Sequence, residues 1–262
     1  MSVGFDHKCK GRNNLINQFN VNLMNRLRIG VTERIDAGLD QTWREHVDEF
    51  DLVVLITKAP QLLDPSTIPG NAIVHCTITG HGGTPIEPGV ASTDVTLPAY
   101  AALIRTIGPE RTVLRIDPIL VTEEGEWLAQ YVARSKAGRL RVSFLDMYPH
   151  VKARFLAAGK EMHDQFNLEL PQKDFHSDLV RRQQILSRLP KDTEVCCEPG
   201  ILCTGCAQLR DLSAIGVNRY LLTKGTGRQR ADCGCLIEKT ELLGNIQRKP
   251  CPHGCLYCYW KG

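Results

Sequence analysis

The stretch TVLRIDPILVTEEGEWLAQYVARSKAGRLRVSFL (residues 112–145) sets the architecture. It opens on a short β-branched and aliphatic run, Thr112 to Ile116, and closes on another, Leu140 to Leu145. Between them, Glu126 to Arg134 repeats its apolar residues at helical spacing. Two strands joined through a helix run parallel, and such crossovers are right-handed. The same alternation extends outward. Strands are expected at Leu52 to Thr57, Ala72 to Thr79, Thr193 to Cys197 and Val217 to Leu222, and helices at Leu97 to Ile107, Val151 to His163 and Asp174 to Leu189. The expected fold is therefore α/β, a partial or full (β/α) barrel of parallel strands, with an open doubly wound sheet as the alternative that periodicity does not separate. Either architecture binds ligands at the carboxyl ends of its strands.

At 262 residues, with 42% hydrophobic and 23% charged residues, the chain has the composition of a globular protein and not of a disordered or fibrous one. Its apolar runs fall well short of the roughly 18 residues that a spanning helix needs. The opening MSVGFDHKCK lacks the apolar segment of a signal peptide, so a cytoplasmic location without membrane contact is expected.

The cysteines break this ordinary pattern. Of 11, nine fall in the last 67 residues: Cys196, Cys197, Cys203, Cys206, Cys233, Cys235, Cys251, Cys255 and Cys258. Clustered thiols in a reducing compartment point to metal ligation rather than to disulfides. Charge is uneven as well. Residues 181–262 hold 13 Lys and Arg against 7 Asp and Glu, a surplus of six, whereas residues 1–180 hold 19 against 22. Such a surplus offsets thiolate charge or offers a surface to a phosphate-bearing partner. After residue 222 the strand and helix pattern fails. A core over 1–222 is expected, with a cysteine-rich segment over 223–262, irregular in backbone, packed on the barrel mouth.

Within that segment, CPHGCLYCYW (251–260) spaces Cys251, Cys255 and Cys258 as C-x3-C-x2-C, with Pro252 and Gly254 permitting a tight turn. Three thiolates so close can hold three irons of a cubane and leave the fourth free, whereas zinc would need a fourth ligand, for which Cys233 or Cys235 is available. The spacing, with Tyr257 just before the last cysteine, resembles the signature of the radical S-adenosylmethionine superfamily. In most of that superfamily the motif lies near the amino end. A poorly characterised radical-SAM-like family of unknown function carries it at the carboxyl end, and this chain resembles that family over most of its length. The matching stretches are NLMNRLRIG (22–30), VVLITKAPQLL (53–63), TITGHG (77–82), IGPERTVLRIDPILVT (107–122), RVSFLDMYPHVK (141–152), QRADCGC (229–235) and CPHGCLYCY (251–259). The chain departs from the family at GRNN (11–14), which keeps Arg12 but has Asn13 and Asn14 where the family has an Arg-Arg-Thr-Asp-like run.

The resemblance implies a 4Fe-4S cluster on Cys251, Cys255 and Cys258. The cluster's free iron would bind S-adenosylmethionine, with Tyr257 beside the adenine, and an electron from a donor such as flavodoxin or ferredoxin would release a 5'-deoxyadenosyl radical. A nucleobase, nucleotide or nucleic acid is the substrate class expected, through rearrangement, modification or lesion reversal. Cys233, Cys235, Cys196 and Glu198 also match the family, and Cys203 with Cys206 form a CTGC. A second iron-sulfur cluster, or a structural zinc, is expected on four of Cys196, Cys203, Cys206, Cys233 and Cys235.

Further site candidates follow the strand ends. Arg115 and Asp117 lie two apart on one face of a strand, where opposite charges must pair or bind something, and are the candidate catalytic residues. Thr79, Gly80, His81 and Gly82 end another strand and are candidates for contact with the cofactor, although a strand-to-loop turn needs glycine in any case. Ser143 and Asp146 are further cofactor candidates, with Asp146 more simply read as a helix cap. Lys58 sits where it could reach the mouth, His253 is expected to shape the cluster loop, and His75, Cys76 and Cys9 are read as core or incidental. The alternative function is a non-catalytic zinc or iron-sulfur protein that binds nucleic acid through its basic, cysteine-rich end.

Overall fold

A computed structural model describes residues 27–159, 175–217, 233–236, 239–242 and 251–260. Seven parallel strands form one sheet: β1 (Ile29–Val31), β2 (Leu52–Thr57), β3 (Ala72–Thr77), β4 (Thr112–Ile119), β5 (Arg139–Phe144), β6 (Glu194–Val195) and β7 (Lys239–Glu241). Their spatial order is β6-β5-β4-β3-β2-β1-β7. Six strands neighbour one another in chain order, so the winding never reverses and the doubly wound alternative is excluded. Among the described residues no pairing joins β6 to β7, and the sheet is a curled half-barrel. The described α-helices are α1 (Thr93–Ile107), α2 (Glu123–Ala133), α3 (Pro149–Ala157), α4 (Leu179–Leu186) and α5 (Leu209–Ala214). None is long and apolar enough to cross a membrane.

Alternation along the strands divides the core in two. Val53, Leu55, Val74, Cys76, Leu114, Ile116, Leu140 and Val142 point outward and pack with residues of the covering helices, among them Tyr100, Leu103, Ala129 and Val132. The opposite positions enclose Ile29, Val31, Leu52, Val54, Ile73 and Val113, capped by Ala207 and Leu212. Toward the β4 to β6 side this inner face turns polar, with His75, Arg115, Arg139, Arg141 and Glu194. Helix packing there is close. A Cβ on Gly125 of α2 would stand 2.2 Å from the Leu120 carbonyl oxygen, so only glycine fits.

Several element boundaries differ from expectation for identifiable reasons. Helix α1 begins four residues before Leu97, because its first turn is polar (Thr93, Asp94) and invisible to apolar periodicity. Asp146 does not cap α3. The cap position is Tyr148, with Pro149 as first residue, and the Asp146 carboxylate instead pairs with His176 Nδ1 at 2.7 Å. Strand β1 has only three residues, and β7 reads Lys-Thr-Glu, polar on both faces, so neither shows an apolar strand signature. Through β7, residues beyond 222 enter the sheet. Val217 follows α5 outside any strand, and residues 218–222 of the strand expected there lie outside the described residues, as do Cys9, Arg12, Asn13, Asn14 and residues 160–163.

Buried charge holds the β5 to β6 side together. Arg139, fully enclosed, donates Nε to Glu194 Oε1 at 3.0 Å and Nη1 to the Glu110 carbonyl at 3.1 Å, and also bonds Asp211 of α5. Arg139→Ala removes the cation from buried Asp211 and leaves Glu194 to Arg141 alone among the buried arginines, and is expected to cost about 3–5 kcal/mol. Urea unfolding of the two proteins checks this, and a loss below about 1 kcal/mol would show that the arginine is not what holds α5 to the sheet.

Candidate functional site at the barrel mouth

The cysteine-rich tail lies across the carboxyl ends of β2 and β3, on the loops that follow β3 and β5. Backbone bonds set its course: Gly89 N–H donates to the His253 carbonyl at 2.9 Å, and Leu256 N–H donates to the Ile86 carbonyl at 3.0 Å. Cys255 and Tyr257 are buried in an apolar cluster with Ile86, Val90, Leu120, Leu145, Met147, Val151 and Phe155. Arg154 of α3 donates Nε to the Leu256 carbonyl at 2.7 Å and bonds the Cys258 carbonyl as well. The Tyr259 hydroxyl accepts from Asp146 N–H at 2.9 Å. Two turns make this possible. Gly254 adopts φ +66°, and a Cβ on Gly89 would lie 2.1 Å from the Pro252 carbonyl oxygen.

Charged side chains tie the same loop to the strand ends. Lys58, just past β2, donates Nζ to Glu87 Oε1 and to the Tyr257 hydroxyl, both at 2.7 Å, and lies over the Tyr257 ring. Glu87, almost wholly buried, also accepts from Thr79 Oγ1 at 2.8 Å. Asp36 accepts from Lys58 N–H and Thr57 Oγ1 at 2.6 Å each, and pairs with His253 Nε2 at 2.8 Å. Burial opposes ionisation of both members of that pair, but the hydrogen bond and charge between them prevail, lowering the Asp36 pKa and raising that of His253.

The candidate triad is thus brought to the mouth. Cys251 is exposed, Cys258 half-buried and Cys255 buried. Burial pushes the Cys255 thiol up to about 12, and the charges of Glu87, Cys251 and Cys258 add to that. Among the described residues, no three His, Cys, Asp or Glu side chains converge as the ligands of one metal ion. Cys233 and Cys235, either of which could have closed a zinc site here, lie elsewhere: Cys235 stands 3.4 Å from Cys206, Sγ to Sγ, and Cys233 is two residues before it.

The other candidates divide. Arg115 and Asp117 do face inward together and form an ion pair, with Asp117 accepting from Ser143 Oγ at 2.5 Å and Arg115 donating to Thr77 Oγ1 at 3.4 Å. Burial lowers the Arg115 pKa, but the nearby Cys196, Cys206 and Glu33 work the other way. Gly80 and Gly82 meet packing demands: a Cβ on Gly80 would press on Leu128 at 2.9 Å, and one on Gly82 would strike the Ala91 carbonyl at 2.1 Å. His81 is buried with Nδ1 unpartnered, and burial lowers its pKa. His75 is inside the half-barrel, hydrogen-bonded to Arg141 Nη1 at 3.1 Å. Glu198 lies behind β5, accepting from Phe144 N–H at 2.7 Å and from Arg182 at 2.8 Å, and burial pushes it up to about 7.

Sequence reading missed Asp36, Glu87, Arg139, Arg141 and Lys239. Arg139 and Arg141 carried a usable signal, since they precede Ser143 at two-residue spacing and so share its face. Glu87 and Asp36 sit in loops without periodicity.

Fold and site together define a half-barrel α/β protein whose carboxyl-terminal thiol loop covers the strand ends. A family profile described as a domain of unknown function, DUF1848, matches residues 12–260, and the chain belongs to that family. No curated protein and no solved structure matches it.

Two outcomes follow from this geometry. Gly89→Ala should push the tail off the β3 loop, raising amide exchange across 251–260 at a stability cost of about 1–3 kcal/mol. Unchanged exchange there would mean the contact does not seat the tail. Glu241 accepts from Glu33 N–H at 3.0 Å and Arg34 N–H at 3.2 Å, while its other oxygen is buried without a partner, and burial lifts its pKa to about 7. The folded state holds this proton more tightly than the unfolded chain, so the group costs stability as pH rises from about 4.3 toward 7. Glu241→Gln should therefore be more stable than the parent at pH 8, with the difference vanishing near pH 4. Thermal melts across that range check the sign.

Proposed function

We propose that this protein is a radical S-adenosylmethionine enzyme whose 4Fe-4S cluster is held by Cys251, Cys255 and Cys258. The observation that carries the reading is the seating of this three-cysteine loop over the strand ends, away from Cys233 and Cys235, so that the loop offers three thiols and no fourth. That donor set suits a cubane with one open iron and is one ligand short for a structural zinc. With the cofactor bound there, reductive cleavage of its sulfonium would supply a 5'-deoxyadenosyl radical able to remove hydrogen from a substrate.

The chain's own residues have separable tasks. The apolar cluster around Cys255 and Tyr257 keeps water from one side of the thiol loop. Lys58, held between Glu87 and the Tyr257 hydroxyl, fixes that ring and places a positive charge near the thiolates. Thr79 and Glu87 anchor the loop on which the tail rests. Inside the half-barrel, the Arg115, Asp117 and Ser143 network presents a cation and a carboxylate to a substrate entering between the strand ends. A nucleotide suits these partners, with Arg115 for a phosphate and Asp117 for a ribose hydroxyl or exocyclic amine. The basic balance of residues 181–262 suits the same substrate class or a nucleic acid. The reading also carries a reducing, cytoplasmic setting and an external one-electron donor of the flavodoxin or ferredoxin kind.

Anaerobically reconstituted protein, given reductant and S-adenosylmethionine, should release 5'-deoxyadenosine, and Cys255→Ala should abolish that release while the far-ultraviolet dichroism is kept. Release that survives Cys255→Ala, or a protein that assembles no cluster on the tail, overturns the reading. In that event a non-catalytic thiol-metal protein becomes the better account.

A further inference from the structure

Inside the half-barrel, away from the tail, four thiols gather. Cys206 Sγ lies 3.4 Å from Cys235 Sγ, and Cys196, at the end of β6, and Cys233 are close enough to act electrostatically on that pair. Cys206 N–H also donates to Cys235 Sγ at 3.3 Å. The fifth nearby thiol, Cys203, belongs to a different arrangement. It accepts from Glu198 N–H at 2.9 Å and points toward the Glu198 and Ile201 carbonyls.

The backbone around these thiols is built for close approach. The turn of CTGC and the turn of CGC lie back to back through their glycines. A Cβ on Gly205 would stand 2.4 Å from Cys235 N and from the Gly234 carbonyl carbon, and one on Gly234 would stand 2.6 Å from the Cys203 carbonyl oxygen. Gly205 takes φ +74°, and Cys197, next to Cys196, takes φ +55°, a conformation that non-glycine residues rarely adopt. Two glycines and a strained backbone bring these two turns, and Cys206 with Cys235, into contact.

Cations lie beside them. Lys239 of β7, buried, donates Nζ to Cys206 Sγ at 2.8 Å, and Arg115 and Arg141 are close enough to act electrostatically on both Cys196 and Cys206. Four thiolates around a divalent ion leave a net charge of two minus, which these cations face.

From this juxtaposition we propose that Cys196, Cys206, Cys233 and Cys235 bind a single soft divalent cation of the zinc class, in a tetrathiolate site separate from the tail triad. Metal–sulfur bonds of about 2.3 Å set tetrahedral sulfur–sulfur edges of about 3.8 Å. The 3.4 Å contact of Cys206 with Cys235 is close to one such edge, and Cys196 and Cys233 complete the set by swinging inward on the ion. A cubane would instead have to force Cys206 and Cys235 apart to reach separate irons. Cys203 is excluded from the set.

The test uses the full chain with Cys251, Cys255 and Cys258 all changed to Ser, so that its result is independent of the tail chemistry. Stripped of metal and handled anaerobically, it should take up one equivalent of Co(II) with the visible bands of tetrahedral thiolate coordination. Loaded with zinc, it should show four sulfur neighbours by X-ray absorption. Adding Cys206→Ser should weaken zinc binding by more than about a hundredfold, whereas adding Cys203→Ser should leave it unchanged. Three outcomes overturn the proposal: no uptake by the triad-free chain, equal loss in Cys203→Ser, or about four irons with sulfide bound in place of one ion. The triad-free chain is decisive even if Cys206→Ser does not fold, because metal stoichiometry and sulfur count are read on it directly.

Discussion

Every second side chain of a curled parallel sheet points into the space the sheet encloses, and in this protein several of those side chains are charged. Burying an unmatched charge costs far more than a domain's net stability, so the interior exists only because the charges are matched within it. Arg139 meets Glu194 and Asp211, Arg141 meets Glu194, Arg115 meets Asp117, and Lys239 meets Glu33. These pairs join β4 to itself, β5 to β6, and β7 to the loop after β1. They therefore tie neighbouring segments together across the inner face. The apolar residues on the outer face hold the helices, and the paired charges on the inner face hold an interior polar enough to accept a ligand.

Such an interior also explains where the tail has to sit. Polar side chains at strand ends must be shielded if water is to be kept from chemistry among them, and α/β folds carry their variable loops at that end. Here the covering loop is drawn from residues 251–260 and is fastened at three places: to the β2 end through Lys58 and Asp36, to the loop after β3 through Gly89 and Ile86, and to α3 through Arg154. The fastening residues Lys58 and Arg154 are cations, and their partners are a phenol, a carboxylate and backbone carbonyls. A loop dense in thiols would by itself present negative charge, and these cations offset it.

The central strands and helices could be read from the sequence because their outer faces are apolar and their periods unambiguous. The pair Arg115 and Asp117 was legible for the same reason, since period two put both on one face. The ends of the sheet were not. Strand β7 spends its inward positions on Lys239 and Glu241, so it carries no apolar alternation, and only its partner β1 defines it as a strand. The cysteine spacing foretold a thiol loop but not which thiols share a site, because Cys206 and Cys235 are 29 positions apart and meet through the contact of two glycine turns. Loop residues such as Glu87 and Asp36 gave no signal at all, as their importance lies wholly in tertiary contacts.

The division of the cysteines into two sets has its own physical logic. Thiols on one tight loop, as in 251–258, can be presented to an exchangeable ligand while the loop stays anchored by its backbone. Thiols drawn from distant segments, as at 196, 206, 233 and 235, join those segments wherever they are held in common. Metal ligation by the first kind leaves the fold largely indifferent, while ligation by the second would tie β6, the α5 turn and the approach to β7 into one body. Among the described residues no pairing joins β6 to β7, and the contact of Cys206 with Cys235 lies between the segments that follow β6 and precede β7. On that side of the sheet the described contacts are made by sulfur and buried charge.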